Sequence, residues 1–348
     1  MNFFQAVVLG LVQGLTEFLP ISSSAHQLIV SRLFFDNDGG GAAFTAVTQL
    51  GTETAVLVYF WRDIVRIVKA WALSLVGKVP RSDPDARMGW WVIIGTIPIG
   101  VLGVVLKDAI HGPVRNLWVT ATMLLVFALI IAVADSTASQ RKTLNDLNAA
   151  DGVKFGLFQA CALIPGVSRS GGTIAGGLFM GYRREDAARY SFLLAVPAVL
   201  ASGFFELLDI AGKPNPDGWT PIVIATVLAG IVGYAVIAWL MRYISTHDFK
   251  PFVFYRIALA VILFALLGFE PGFVQGAFRV GDSATQIITP MNPYLFVFLM
   301  QVRRYEPDAG LGTVISRMLP FVVPFWVAWV LVLAVFYFFG IDMGPGVG

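Results

Sequence analysis

The feature that most constrains this chain is a succession of apolar runs, each close to the length a helix needs to cross a bilayer. They fall at about 44–61, 89–106, 117–134, 190–208, 219–241, 252–268 and 318–340, and a span takes roughly 20 residues. Only 13% of the 348 residues are charged, where a soluble domain carries about 25%. In hydrocarbon every backbone group needs an internal partner, which a helix supplies for itself. The chain therefore reads as an all-α polytopic membrane protein. The first segment lacks a basic start and is interrupted by Glu17 and Pro20, so no cleaved signal peptide is expected. The single cysteine, Cys161, excludes a disulfide framework or a thiolate metal cluster. No basic stripe is present to bind nucleic acid.

Two segments, 5–30 and 153–181, do not read as ordinary spans. Each breaks at a proline and a Ser-rich loop, "TEFLPISSSAH" (16–26) and "IPGVSRSGGT" (164–173). Irregular backbone at membrane depth is tolerated only when buried in protein or lining a wet cavity. Both segments are expected to be re-entrant helix–loop–helix hairpins. A shift of 146 residues superposes Gly10-Leu11 on Gly156-Leu157, Gln13 on Gln159, Ser22 on Ser168 and Ser24 on Ser170. This points to an internal repeat, with halves at about 1–135 and 151–268. Segments 62–87, 135–154, 182–189 and 242–256 hold fifteen Lys and Arg, whereas 32–43, 107–116 and 206–217 hold four. The positive-inside rule puts the first group in the cytoplasm. Alternation then requires one hairpin to enter from outside and the other from inside. The predicted architecture is an inverted-topology repeat whose two hairpins meet at the membrane midplane, the arrangement that marks a binding site.

The loops carry the chemistry. Gln13 and Glu17, four apart, stack on one helix face, and Ser22, Ser23, Ser24 and His26 follow. The second loop offers Ser168, Arg169, Ser170 and Thr173 among Gly166, Gly171 and Gly172. Glycines let backbone N–H groups approach a ligand, and the helix after each loop presents its positive end there. Arg among hydroxyls and free amides makes an anion site, with phosphate the fitting anion. Glu and His beside it supply proton transfer or a metal ligand. Ionisable groups within a membrane are functional by default, so a merely structural Glu–Arg pair is the weaker reading.

On these residues residues 1 to about 268 resemble the undecaprenyl-diphosphate phosphatases of the bacterial cell envelope. The matching stretches are "QGLTEFLPISSSAH", "FTAVTQLGTETAVLVYFWRDI", "PGVSRSGGT", "SFLLAVPAV" and "PFVFYR". The resemblance implies hydrolysis of undecaprenyl diphosphate to the monophosphate carrier of peptidoglycan synthesis. It also implies a divalent cation (Mg²⁺ or Ca²⁺), a polyprenyl diphosphate lipid as partner, and a place in the bacterial cytoplasmic membrane with the active site facing the outer side; a homodimer is among the assemblies it allows. The family's acidic motif is (Glu/Gln)-x-x-x-Glu, here Gln13 and Glu17, which are the expected metal residues. Arg169 is expected to grip the diphosphate, Glu17 to act as metal ligand or base, and His26 to assist proton transfer. Ser22, Ser168, Ser170, Thr173, Gly166 and Gly171 are expected around the phosphates. Ser23 as covalent nucleophile and direct attack by water both remain open. The rival function is a transporter or lipid-carrier flippase, since inverted repeats with broken helices also build transporters.

Other polar residues read more plainly. His111 and His247 are expected to be solvated loop residues and Cys161 a packing residue. Glu53, one turn from Gln49 on an apolar helix, is balanced between a role beside the cavity and none. Residues 269–348 resemble the C-terminal end of the AbgT family of transporters, including Gly281-Asp282-Ser283 and Thr289-Pro290. They are read as a membrane extension, a broken helix pair and one further span, from which no transport is inferred.

Overall fold

The computed structural model describes residues 2–35, 41–106, 110, 116–211, 219–267 and 293–338. Their regular elements are helical. In chain order they are α1 (Phe3–Thr16), α2 (Ser23–Phe34), α3 (Gly41–Tyr59), α4 (Trp61–Leu75), α5 (Pro84–Val105), α6 (Leu117–Thr137), α7 (Ala149–Ala160), α8 (Arg169–Phe179), α9 (Arg184–Ala211), α10 (Thr220–Ile244), α11 (Lys250–Leu266), α12 (Pro293–Val302) and α13 (Leu311–Phe338). Over the described residues each apolar run of the sequence is helical, the first running from α3 across Phe60 to the start of α4. Pro84–Val105, Leu117–Thr137, Arg184–Phe205 and Thr220–Ile244 are long and apolar enough to cross a membrane. His111 and the motifs at 281–283 and 289–290 lie outside the described residues.

Local sequence sets the helix starts. Asn2 Oδ1 accepts from Gln5 N at 2.8 Å while Gln5 Oε1 accepts from Asn2 N at 3.0 Å, a reciprocal cap on α1. Asp83 caps α5, with Pro84 in its first turn; Asn116 and Asn148 cap α6 and α7. The 62–87 segment, counted in the sequence for its Lys and Arg, contains α4. That helix sets Arg62, Arg66 and Lys69 among exposed Trp61, Val65, Val68 and Leu75, the composition of a helix lying in a membrane interface.

The chain divides into two compact units, Met1–Phe264 and Ala265–Gly348. In the first, α1 and α3 pack on α10, α7 packs on α5, α9 on α3 and α8 on α6. Lipid supplies no hydrophobic drive between helices, so close approach at small residues carries much of this packing. A Cβ on Gly10 would lie 2.7 Å from the Ala225 carbonyl oxygen, and one on Gly156 would overlap the Gly95 carbonyl. The segments rich in Lys and Arg are bonded to one another. Arg189 pairs with Asp63, Arg66 with Asp85 at 2.9 Å, and Lys142 with Asp151 at 3.1 Å. Asp135 accepts from Arg184 Nε at 2.6 Å and from the Phe249 amide at 3.1 Å. One cation counted with these segments, Arg256, is no loop charge: it is fully buried.

In the second unit α12 and α13 close around Leu295, Leu299, Ala309 and Val314. Arg303 Nε donates to the Ala309 carbonyl at 2.9 Å and Arg317 pairs with Glu306 at 2.8 Å. α13 bends by 41° between Leu311–Val322 and Pro324–Val332, where Pro320 and Pro324 remove ladder bonds.

Candidate functional site

The polar centre forms where two helices stop and restart. After α1 the chain runs from Glu17 through Pro20 to Ser22; after α7 and a short 3-10 turn (Cys161–Leu163) it runs to Ser168. Ser22 has φ 73° and Ser168 φ 72°, a left-handed conformation that costs a non-glycine residue about 1–3 kcal/mol and concentrates at functional sites. Each serine then caps the next helix. Ser22 Oγ accepts from Ala25 N at 3.4 Å, and Ser168 Oγ from Gly171 N at 3.1 Å. Each hydroxyl also meets the serine two residues on, Ser24 at 3.3 Å and Ser170 at 3.1 Å. The first-turn amides of α2 and α8 lie at the two breaks, where a helix leaves its first N–H groups without intrahelical partners; the caps take one in each helix.

The two breaks touch. Ser170 Oγ donates to the Leu19 carbonyl at 3.2 Å. Arg256, from α11, donates to Pro20 O at 3.0 Å, Gly166 O at 2.7 Å, and Leu124 O and Met123 O at 3.2 Å each. Its planar fork thus satisfies the Pro20 and Gly166 carbonyls of the two breaks and ties them to carbonyls inside α6. Gly166, at φ 99°, could not carry a side chain: a Cβ would lie 2.5 Å from Thr120 O.

Glu17 sits at the junction, 7% exposed. Its Oε2 accepts from Gln13 Nε2 at 2.7 Å and from Ser23 Oγ at 2.5 Å, and Arg169 Nη2 donates to its Oε1. Behind it a buried polar line continues. Gln27 Nε2 donates to Leu9 O at 2.8 Å and reaches Gln13 Oε1 at 3.5 Å. Glu17, Arg169 and Ser170 line one small cavity with Glu53 of α3 and Ser191 of α9, against Phe192. Phe18 meets Phe192 edge to face at 5.6 Å, forming an apolar wall.

Of the residues singled out in the sequence, Gln13, Glu17, Ser23, Arg169 and Ser170 converge directly, and Ser22 and Ser168 flank them as caps. Gly171 contributes the amide that Ser168 caps. Thr173 Oγ1 donates to the Arg169 carbonyl at 2.7 Å, within its own helix. His26 makes its bonds elsewhere: Nδ1 donates to Ser22 O at 2.7 Å, and Nε2 is 2.6 Å from the Tyr255 hydroxyl, with the two rings stacked. A carbonyl only accepts, so Nδ1 bears a proton, and in the neutral ring Nε2 accepts from Tyr255. Sequence reasoning left out Arg256, Tyr255, Gln27 and Ser191. Arg256 had a signal, an arginine amid the apolar "PFVFYRIALA", and Tyr255 and Ser191 fall within the matched stretches "PFVFYR" and "SFLLAVPAV"; Gln27 had none.

Among the described residues no three His, Cys, Asp or Glu side chains cluster as a metal site. The cavity does hold two carboxylates, and Glu53 Oε1 is a buried acceptor without a partner. Mg²⁺ and Ca²⁺ take carboxylate and hydroxyl oxygens, with water and phosphate completing the shell, so the donor set fits such an ion.

An apolar helical bundle built round this centre defines a multi-pass membrane protein with a buried polar site. Residues 6–262 match the family described as bacitracin resistance protein BacA, and the chain belongs to that family. Residues 254–348 match the AbgT putative transporter family. Among curated relatives, an undecaprenyl-diphosphatase of Pseudarthrobacter chlorophenolicus is 58% identical over 272 residues, covering 77% of this chain and 98% of its own length. One from Micrococcus luteus is 59% identical over 271 residues, with the same coverage. Undecaprenyl-diphosphatase 2 of Streptomyces coelicolor is 59% identical over 279 residues, covering 77% of this chain and 95% of its own length.

Proposed function

We infer that this chain is a membrane phosphatase that hydrolyses undecaprenyl diphosphate to the monophosphate and inorganic phosphate, and that the Glu17–Ser23–Arg169 junction performs the chemistry. Membership of the family and the names of its relatives support the activity. One observation carries the assignment of the site: Ser23 Oγ lies 2.5 Å from Glu17 Oε2 while Arg169 holds the other carboxylate oxygen.

A hydroxyl within hydrogen-bond reach of a base, itself held by a third group, is the arrangement of an activated nucleophile. Glu17 takes the Ser23 proton as Oγ attacks the terminal phosphorus. The bond from that phosphorus to the bridging oxygen breaks, and the lipid monophosphate leaves. Glu17 passes that proton to the departing phosphate oxygen; ionised again, it takes a proton from the water that attacks the phosphoserine and returns it to Ser23 Oγ as inorganic phosphate is released. Arg169 turns its remaining N–H groups to the phosphoryl oxygens and stabilises the charge they gain. Ser23 is the first residue of α2, so the free amides and the positive helix end face the same oxygens. Ser170, Ser22 and Ser168 fix the two amide-bearing turns. Gln13 holds Glu17 in place from behind, and His26 braces the start of α2 through its bonds to the Ser22 carbonyl and the Tyr255 hydroxyl. Glu17 would hold the divalent cation that the resemblance implies, and the ion would supply charge neutralisation for the diphosphate.

The reading places the protein in the bacterial cytoplasmic membrane with the site open to the outer side. The Lys and Arg distribution supports the orientation. Matching geometry at Ser22 and Ser168 supports the inverted repeat, as does the exchange in which α1 packs on α10 and α7 on α5. The AbgT match covers the C-terminal part alone, and no transport is proposed. Purified protein in detergent should release phosphate from undecaprenyl diphosphate and stop in EDTA. Transport between compartments without phosphate release would instead uphold the rival reading.

A further inference from the structure

Glu53 lies in the middle of α3, 1% exposed, and its Oε1 has no hydrogen-bond partner. Ser191, from α9, is 1% exposed and its hydroxyl is likewise unpartnered. Both face the cavity that Glu17, Arg169 and Ser170 line. Neither residue belongs to a broken helix, and neither has a part in the chemistry above. The charged groups that face Glu53 are Arg169 and Glu17. Arg169 is paired with Glu17 and reaches Glu53 only across the cavity, so the two carboxylates share one guanidinium. A carboxylate taken out of water needs a cation or a proton to meet it, and two carboxylates in one cavity with a single arginine leave one negative charge over.

We propose that Glu53 is the second carboxylate of a divalent-cation site shared with Glu17, with the Ser191 hydroxyl as a neutral oxygen ligand. The proposal rests on the cation requirement that the phosphatase reading implies. It also explains a gap in the acidic motif. Position 13 carries an amide, whose N–H is used on Glu17, so the second charge at the ion comes from another helix. The donor set is all oxygen, which suits Mg²⁺ or Ca²⁺ and not a softer metal.

The test needs no substrate. Full-length protein in detergent is stripped with EDTA, and its thermal unfolding midpoint is followed as Mg²⁺ or Ca²⁺ is added. The wild-type midpoint should rise to a plateau. Glu53→Gln and Glu17→Gln should each weaken the apparent ion affinity by at least about tenfold. Adding Gln13→Glu to the Glu53→Gln protein should restore the response, because it returns a carboxylate beside Glu17; a purely structural Glu53 would not be rescued this way. If Glu53→Gln does not fold, Glu53→Asp keeps the charge on a shorter arm and should bind more weakly. An ion response lost in Glu17→Gln but intact in Glu53→Gln overturns the role of Glu53 and leaves the cation reading of Glu17 standing. A wild-type midpoint indifferent to ions overturns both. A Glu53→Gln protein that is more stable without ions and responds to them normally shows that Glu53 carries a buried proton, and the proposal fails.

Discussion

The two breaks use the same backbone device and carry opposite chemistry. At an offset of 146 residues Ser22 and Ser168 share a left-handed φ, a side-chain cap and a hydroxyl contact two residues on. Gln13 and Gln159 are both fully buried. Gln13 donates to Glu17, whereas the position matching Glu17 is Leu163, and neither polar atom of the Gln159 side chain has a partner. At the position matching Ser23 stands Arg169. One break brings the carboxylate and the hydroxyl, the other the guanidinium. Neither is a site alone, because each charge needs the other loop to balance it in a low-dielectric interior.

The sharpest way to break this division is to remove its cation. Arg169→Ala should lower the rate of phosphate release about 10²–10³-fold, the usual cost of one donor aimed at a developing oxyanion. Arg169→Lys should not restore it, since an ammonium cannot reproduce a planar fork. A rate near wild type in the lysine variant would sink the bidentate role.

On the other side, Glu17→Gln should remove turnover while the protein stays folded, because the amide keeps the shape and still reaches Ser23. The loss should be about 10²-fold or more, the share of a general base. Gln13→Glu should keep or raise activity and tighten the apparent Mg²⁺ or Ca²⁺ affinity. Metal dependence unmoved by either change would make Glu17 a base and not a ligand.

Arg256 tests whether the breaks depend on one another. Arg256→Met should lower the melting temperature and the activity together, at about 1–3 kcal/mol for each of the Pro20 and Gly166 carbonyls left unpaired. Normal stability in the purified variant would mean that the breaks hold their shape independently. A smaller change compares the caps themselves. Ser168→Ala should cost about 1 kcal/mol, as helix N-cap losses typically do, with Ser22→Ala costing a similar amount. Unequal melting temperatures would show that the shared φ is not supported in the same way on the two sides. The smallest effect is expected from deleting residues 269–348, which contain none of the proposed chemistry. The truncated protein should keep its kcat; a folded, inserted protein that releases no phosphate would place part of the site in the deleted segment.

Much of the centre was legible because it violates the composition around it. Glu17, Ser23 and Arg169 are conspicuous in apolar runs, and proline followed by serine announces a break. The gap-free match of Gln13, Ser22 and Ser24 with Gln159, Ser168 and Ser170 pointed to paired loops. His26 and Thr173 show the limit of that reasoning. Both lie beside the loops in sequence, yet one bonds to Tyr255 and the other to its own helix backbone. Sequence proximity to a loop does not fix where a side chain points, because rotation about the helix axis decides it.

What the sequence determined by itself was periodicity and local chemistry: which stretches are apolar enough to be helices, where they break, and which charges are out of place. Those follow from the bilayer and from the peptide bond, and both act on every residue regardless of its distant neighbours. Tertiary structure alone decided which groups meet. Arg256 lies 236 residues from Pro20 and 90 from Gly166 along the chain, and it bonds to both. Glu53 became part of the cavity only because α3 and α9 pack against the junction. Such meetings depend on the helices' rotation and close approach, set by small residues such as Gly10 and Gly156, and no local pattern encodes them.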